Sequence, residues 1–151
     1  MHSNSSVDAL RAAAELVRKG ADLSLIHQCL FSYDVNKLRL WGAVLEKLHV
    51  TDGISISGVT SDDLRKFHVP VGEVGSVVDY LNSVQGADFS MFFSEDREKS
   101  IVKCSTRTNS EDIDLASFCK NFGGGGHRKA AGFRLDGALS TEEYFRVDSA
   151  K

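Results

Sequence analysis

Residues 122–133 read FGGGGHRKAAGF, and the four consecutive glycines are the least ordinary feature of this chain of 151 residues. Glycine loses more backbone freedom on folding than any other residue, so a run of it indicates positive φ angles or close approach of another group to the backbone. His127, Arg128 and Lys129 follow directly. Exposed amides beside positive charge suit a phosphate, so the stretch predicts a ligand-binding loop.

A plain turn is the alternative interpretation of this stretch. Glycine is the usual residue just after a helix, but one glycine serves that purpose and four do not follow from it. The common nucleotide-binding fingerprints do not fit either, because both the Walker loop and the dinucleotide pattern require a glycine where Arg128 stands, counting from Gly123. The loop is therefore predicted to bind a phosphate without belonging to either type.

Length and composition indicate one globular domain, or a small domain with an attached element, with an ordinary core. Hydrophobic residues make up 42% of the chain, which has one proline and a net charge of −3. Residues 99–134 carry seven cations and three acids, a modestly basic region. We find no apolar run that would span a membrane, no secretory leader and no disulfide framework among three separated cysteines. We therefore expect a cytoplasmic protein with reduced cysteines, mostly in the core, and no membrane partner.

Hydrophobic periodicity divides the chain into a helical part and a mixed part. Three helices are expected first, over 6–19, from about Asp22, and over 35–48. The later elements alternate between strand and helix: a strand at 54–57, a helix after Thr60, a helix over 73–84, strands over 88–94 and 100–105, a helix over 115–122, a strand near 131–135 and a last helix from Ser140. This order predicts an α/β fold with a mixed sheet flanked by helices, preceded by an N-terminal helical segment.

Two segments carry the candidate binding chemistry. Arg107 leaves the end of a strand in the stretch STRT, and its guanidinium can grip a phosphate with two hydrogen bonds, although a surface salt bridge with Glu111 or Asp112 is the alternative. His127 could donate to a phosphate or act as an acid, or serve only as a structural residue. Both segments could point to one rim of the sheet. No clustered Asp/His spacing suits a metal and no Ser–His–Asp constellation can be inferred.

FGGGGHRKAAGF, together with STRT at 105–108 and VGSVVDYL at 74–81, resembles the DHH-associated C-terminal domain of DHH-family phosphoesterases. It is most similar to the nano-RNase and 3′-phosphoadenosine 5′-phosphate (pAp) phosphatase branch, which includes exopolyphosphatase-related chains. The resemblance covers roughly residues 54–135. It implies a helical linker over 1–50 from a missing catalytic half and a substrate-binding domain over 51–151.

In this family the N-terminal half carries the Asp-His-His motif and the manganese ligands, which this chain lacks. The resemblance therefore implies no catalytic residue and no metal ligand here, with Mn²⁺ in the missing half. It implies a substrate-binding set drawn from the strand end and the glycine stretch: Arg107, Thr108, Gly124, Gly125, Gly126, His127 and Arg128. Thr106 and Thr108 replace the more usual Leu and Ser of the strand-end motif, and Thr108 keeps a hydroxyl for phosphate contact.

The resemblance implies that the parent protein is a hydrolase that cleaves short oligoribonucleotides, pAp or both, and that this fragment alone is inactive. Its expected partners are short RNA or nucleotide phosphates and the missing DHH domain in the same chain, and a homodimer is compatible with it. The alternative is a non-catalytic nucleic-acid-binding module of a RecJ-like single-strand exonuclease. A domain whose glycine stretch is only structural, and a relative of alanyl-tRNA synthetase, are the remaining interpretations.

Overall fold

A computed structural model of the chain describes residues 6–74, 77–140 and 146–148. The chain forms two compact units, Met1–Asp34 and Val35–Lys151. The division into a linker over 1–50 and a domain over 51–151 stays a prediction.

The first unit holds two helices with polar N-caps. Helix α1, Val7–Arg18, begins after Ser6, whose side-chain oxygen accepts a hydrogen bond from the Ala9 amide at 3.1 Å. Helix α2, Leu23–Phe31, begins after Asp22, which accepts bonds from two amides of the first turn. These bonds satisfy amides that a helix start leaves without partners. Every side chain of α1 is partly or fully exposed.

The second unit contains the predicted mixed sheet, so the α/β fold class is confirmed. Its helices are α3 Val35–Glu46, α4 Ser61–Phe67, α5 Val77–Leu81 and α6 Leu115–Lys120. Its strands are β1 His49–Thr51, β2 Ile54–Val59, β3 Phe89–Asp96, β4 Ile101–Arg107, β5 Gly125–His127, β6 Ala130–Asp136, β7 Ala138–Ser140 and β8 Arg146–Asp148. Two single 3₁₀ turns lie at Val71–Glu73 and Arg97–Lys99.

Six strands form one sheet in the order β1-β2-β3-β4-β6-β5, and β7 pairs with β8 separately. Strands β2 and β3 are parallel, and the other neighbours in the sheet are antiparallel. The parallel pair needs a long crossover, which α4 and α5 supply, whereas β3 and β4 are joined by the short turn at Arg97–Lys99.

Helices cover the two faces of the sheet unequally. On one face, α6 packs Leu115 and Cys119 against Cys104, Ala131 and Phe133 of β4 and β6. On the other face, helices α3 and α5 lie over β2. The hydroxyls of two buried serines of that strand donate to carbonyl oxygens of these helices at 2.5 and 2.8 Å. Along β4 the burial consequently alternates, with the residues that face α6 buried and the intervening ones partly exposed.

We call the part of this second face that strands β4, β6 and β5 form the open face. Its residues are Lys103, Ser105 and Arg107 of β4, Ala130, Gly132 and Arg134 of β6, and Gly125 and His127 of β5. Each is partly or fully exposed in the part of the chain that the structure describes.

Several predicted elements differ from the structure. The glycine stretch was expected to be a loop, but its last two glycines and His127 form β5 at the edge of the sheet. Of the helix expected over 73–84, the structure describes α5, Val77–Leu81; Glu73 belongs to a 3₁₀ turn, and residues 75–76 lie outside the described residues. Ser140 ends a strand instead of starting a helix, and residues 141–145, which would have formed that helix, lie outside the described residues.

Two of the three cysteines lie in the core, in agreement with the expectation from the sequence. Cys104 and Cys119 are buried free thiols, whereas Cys29 is exposed. Among the described residues, no helix combines the length and the apolar content that crossing a bilayer requires.

Candidate functional site

The four glycines have different structural causes. Gly123 has a φ of +71° after α6, a conformation that side chains rarely adopt. A Cβ at Gly124 would lie 2.2 Å from the carbonyl oxygen of Gly132, and Gly126 combines a φ of +143° with a Cβ position 2.7 Å from the carbonyl oxygen of Ala130. Gly125 has neither constraint, since its Cβ position has nothing within 4 Å. Folding therefore explains three of the four glycines and leaves Gly125 without a structural cause.

The structure brings Arg107 and His127 into one row across the sheet. Arg107 of β4 lies opposite Ala130 of β6, and Ala130 lies opposite His127 of β5. Residues directly opposite each other in antiparallel strands project to the same face. The adjacent row consists of Ser105, Gly132 and Gly125, so the predicted site residues Arg107, Gly125 and His127 share the open face.

Arg107 borders α5 and the open face. Its Nη1 donates to the carbonyl oxygen of Thr106 at 2.8 Å, and its Nε lies 3.6 Å from Oδ1 of Asp79. The acidic neighbour thus comes from α5, and the predicted alternative partners Glu111 and Asp112 do not pair with it. The Arg107 side chain is 35% exposed, and exposed ion pairs contribute little free energy. An incoming phosphate can therefore compete with Asp79 for this guanidinium.

Thr108 is placed differently from Arg107, since it is 2% exposed. Its hydroxyl donates to the carbonyl oxygen of Asp88 at 2.7 Å and accepts a bond from the Ser110 amide at 3.0 Å. These two bonds fix the path of the chain after β4. A phosphate contact from Thr108 would require the exchange of its bond to Asp88.

The side chains of Arg128 and Lys129, which follow His127, contact the segment 109–114. Arg128 donates from Nη2 to the carbonyl oxygen of Glu111 at 2.8 Å, and its Nη1 lies 3.8 Å from Asp114. Lys129 forms an ion pair with the carboxylate of Glu111, which lowers the pKa of that carboxyl group. Arg128 therefore stabilises the turn between β5 and β6 and stands apart from the row of Arg107 and His127.

Two basic residues of the open face were not predicted as site residues. Lys103 of β4 and Arg134 of β6 lie directly opposite each other, two positions from the Ser105 row. The available signal was the spacing Lys103, Ser105, Arg107, since alternate residues of a strand share a face. Arg134 gave no comparable signal, because its place beside Lys103 depends on the register of two strands.

The charges and hydrogen-bond donors of the open face suit an anion. Lys103, Arg107 and Arg134 supply positive charge, and the imidazole of His127 supplies a hydrogen-bond donor. Among the described residues, no group of three His, Cys, Asp or Glu side chains could hold a metal ion.

Comparisons with known proteins identify the family of the chain. Residues 29–146 match the DHHA1 domain. The uncharacterized protein MG371 homolog of Mycoplasma pneumoniae is 28% identical over 126 residues, which cover 82% of this chain and 37% of that protein. An exopolyphosphatase-related protein from Bacteroides fragilis superposes with a TM-score of 0.79 at 27% identity, covering 89% of this chain and 40% of that chain.

A pGpG-specific phosphodiesterase from Vibrio cholerae, PggH, shares the fold with a TM-score of 0.55 at 14% identity, covering 88% of this chain and 46% of that chain. This chain spans less than half the length of each of these three proteins. The match to the DHHA1 domain takes in most of the chain, including the sheet, α6 and the glycine stretch. The chain therefore belongs to the DHHA1 domain family, the DHH-associated domain of DHH-family phosphoesterases.

Proposed function

We propose that this chain is the substrate-binding half of a DHH-family phosphoesterase whose catalytic half lies outside this sequence. Family membership supports this, as does the greater length of the similar proteins. The parent enzyme would hydrolyse short oligoribonucleotides, pAp or both to release 5′-mononucleotides. Its manganese ions would be held by the other half, and this half would contribute positioning and electrostatic stabilisation of the substrate.

The observation that carries the proposal is the shared position of Arg107, Gly125 and His127 on the open face. Arg107 would hold a phosphate of the substrate through charge-assisted hydrogen bonds. Gly125 would let the phosphate and sugar approach the backbone of β5, since no atom occupies the space above it. His127 would donate a hydrogen bond to the same group from the edge of the sheet.

Calorimetric titration of the chain with pAp and with a 5′-phosphorylated diribonucleotide tests the site. Removing a charged hydrogen bond costs about 1.5–3 kcal/mol, so Arg107→Ala should weaken binding by about tenfold or more. Arg65→Ala is the matched control, because Arg65 also pairs with an exposed acid, Asp62, but lies on α4. Equal affinity of the two variants for both ligands would contradict the proposed site.

Gly125→Ala separates a ligand-binding role from a purely structural one. The added methyl group meets no protein atom within 4 Å, so the variant should fold normally. Because the methyl group occupies the space proposed for the ligand, affinity should fall while the unfolding midpoint does not. Gly42→Ala in α3, where the Cβ position is equally free, is the control. Unchanged affinity of Gly125→Ala would favour the structural interpretation of the glycine stretch.

A further inference from the structure

The like-charged pair Lys103 and Arg134 is unusual for a sheet. Like charges directly opposite each other on neighbouring strands destabilise the pairing. Among the described residues, neither side chain has a hydrogen bond or an ion pair within 4 Å. Asp96 lies near Lys103, but its carboxylate already pairs with Lys99 at 2.9 Å, and the pKa of Asp96 is lowered chiefly by that bond. A bound anion would relieve the repulsion that the fold leaves in place.

The pair is connected to Arg107 by a row of small residues. Lys103 and Arg107 are four residues apart on one strand, which corresponds to about 13 Å. Between them the open face presents Ser105, Gly132 and Gly125, with no side chain larger than a serine. The face therefore has positive charge at both ends and a shallow, uncharged middle.

This length exceeds one nucleotide step. Successive phosphates of a duplex strand are about 3.4 Å apart along the axis, and those of an extended single strand are farther apart. One ligand can thus reach both basic ends only if its phosphates extend over more than one step. The small middle row leaves room for the sugar and base that lie between the phosphates of such a ligand.

We propose, on the basis of the proposed function, that Lys103 and Arg134 form a second phosphate subsite, which holds an oligonucleotide phosphate more than one nucleotide step away from the phosphate held by Arg107. The subsite makes the open face selective for length. A chain of several nucleotides occupies both ends, whereas the single nucleotide pAp occupies the Arg107 end alone. Asp136, on the same face beyond Arg134, and Asp96 mark the end of the basic surface.

The test compares two ligands and two double variants of the chain. The ligands are pAp and 5′-phosphorylated tetraadenylate, titrated at several salt concentrations. The test variant is Lys103→Gln with Arg134→Gln. The control is Lys66→Gln with Lys120→Gln, which removes the same charge from exposed positions on α4 and α6.

We expect the test variant to lose about tenfold or more in affinity for tetraadenylate and less than about twofold for pAp, relative to the control. The slope of log affinity against log salt for tetraadenylate should fall by about 0.7 for each phosphate that the variant no longer neutralises. Equal losses for both ligands, or equal losses in both double variants, would overturn the second subsite. If both ligands bind and only Arg107→Ala weakens them, the proposed function stands and this inference fails. If neither ligand binds, both the proposed function and this inference are overturned.

Discussion

Alanine substitutions at Gly124 and Gly125 should change stability in opposite directions. At Gly124 the new Cβ would lie 2.2 Å from a carbonyl oxygen and 2.5 Å from Cβ of Phe133, and neither atom belongs to the movable end of a side chain. Overpacking of this kind costs about 1–3 kcal/mol. At Gly125 the Cβ position is free and φ lies outside the left-handed region, so alanine should stabilise the fold by about 0.4–1 kcal/mol through the unfolded state.

The assay is urea unfolding followed by the fluorescence of Trp41, the single tryptophan of the chain. Trp41 lies in α3 and is 5% exposed, so its signal reports on the unit that contains the sheet. The two variants should differ by about 1.5–4 kcal/mol in free energy of unfolding. With a urea slope of about 1–3 kcal/mol per molar, this separates their midpoints by on the order of 1 M.

A Gly124→Ala variant as stable as the wild type would refute the reasoning, because the close approach of β6 could then not be what requires glycine. A Gly125→Ala variant as destabilised as Gly124→Ala would refute it equally. In that case the whole run would be structural, and the space above Gly125 would not be free in solution.

Three further predictions concern the hydroxyl of Thr108, the carboxylate of Asp63 and the cysteine thiols. Thr108→Val should destabilise the second unit by about 1 kcal/mol in the same assay, because two partly buried hydrogen bonds to the backbone are lost, and Thr108→Ser should lose less. Burial raises the pKa of Asp63, but its 2.6 Å ion pair with Lys47 and its N-cap bonds outweigh burial and hold the pKa below 3.8. Its stabilising effect is therefore present above about pH 4 and lost on acidification, so the deficit of Asp63→Asn in unfolding titrations should shrink as the pH falls below that value. In a thiol-reagent assay of the native protein, exposed Cys29 should react quickly and Cys104 only on unfolding, because burial raises the pKa of the Cys104 thiol.

Local signals predicted the starts of α2, α4 and α6 correctly, whereas the helix start predicted at Ser140 was wrong. Asp22 caps α2, Asp114 caps α6, and Thr60 forms a capping box with Asp63 at the start of α4. Ser6 caps α1, at the first residue of the helix predicted over 6–19. A capping bond joins residues two or three apart, so a single stretch of sequence contains all of its determinants.

Strand pairing of distant residues could not be predicted in this way. The glycine stretch becomes β5 only because β6 returns beside it, and Ser140 belongs to β7 because it pairs with Arg146 of β8. The same reason applies to the candidate site. Arg107 and His127 were expected at one rim from their places after neighbouring elements, but the row that joins them depends on the register of β4, β6 and β5. The pair of Lys103 and Arg134 depends on that register alone.

The alternating burial of β4 should be visible in a mutational scan of the chain. Val102, Cys104 and Thr106 are buried, whereas Lys103 and Ser105 are only half-buried between them. A selection for cellular abundance should tolerate few substitutions at the first three positions and many at the other two. A selection for nucleotide binding should add intolerance at Lys103 and at Arg107. Comparing the two tolerance profiles along seven residues would therefore separate the requirements of folding from those of recognition.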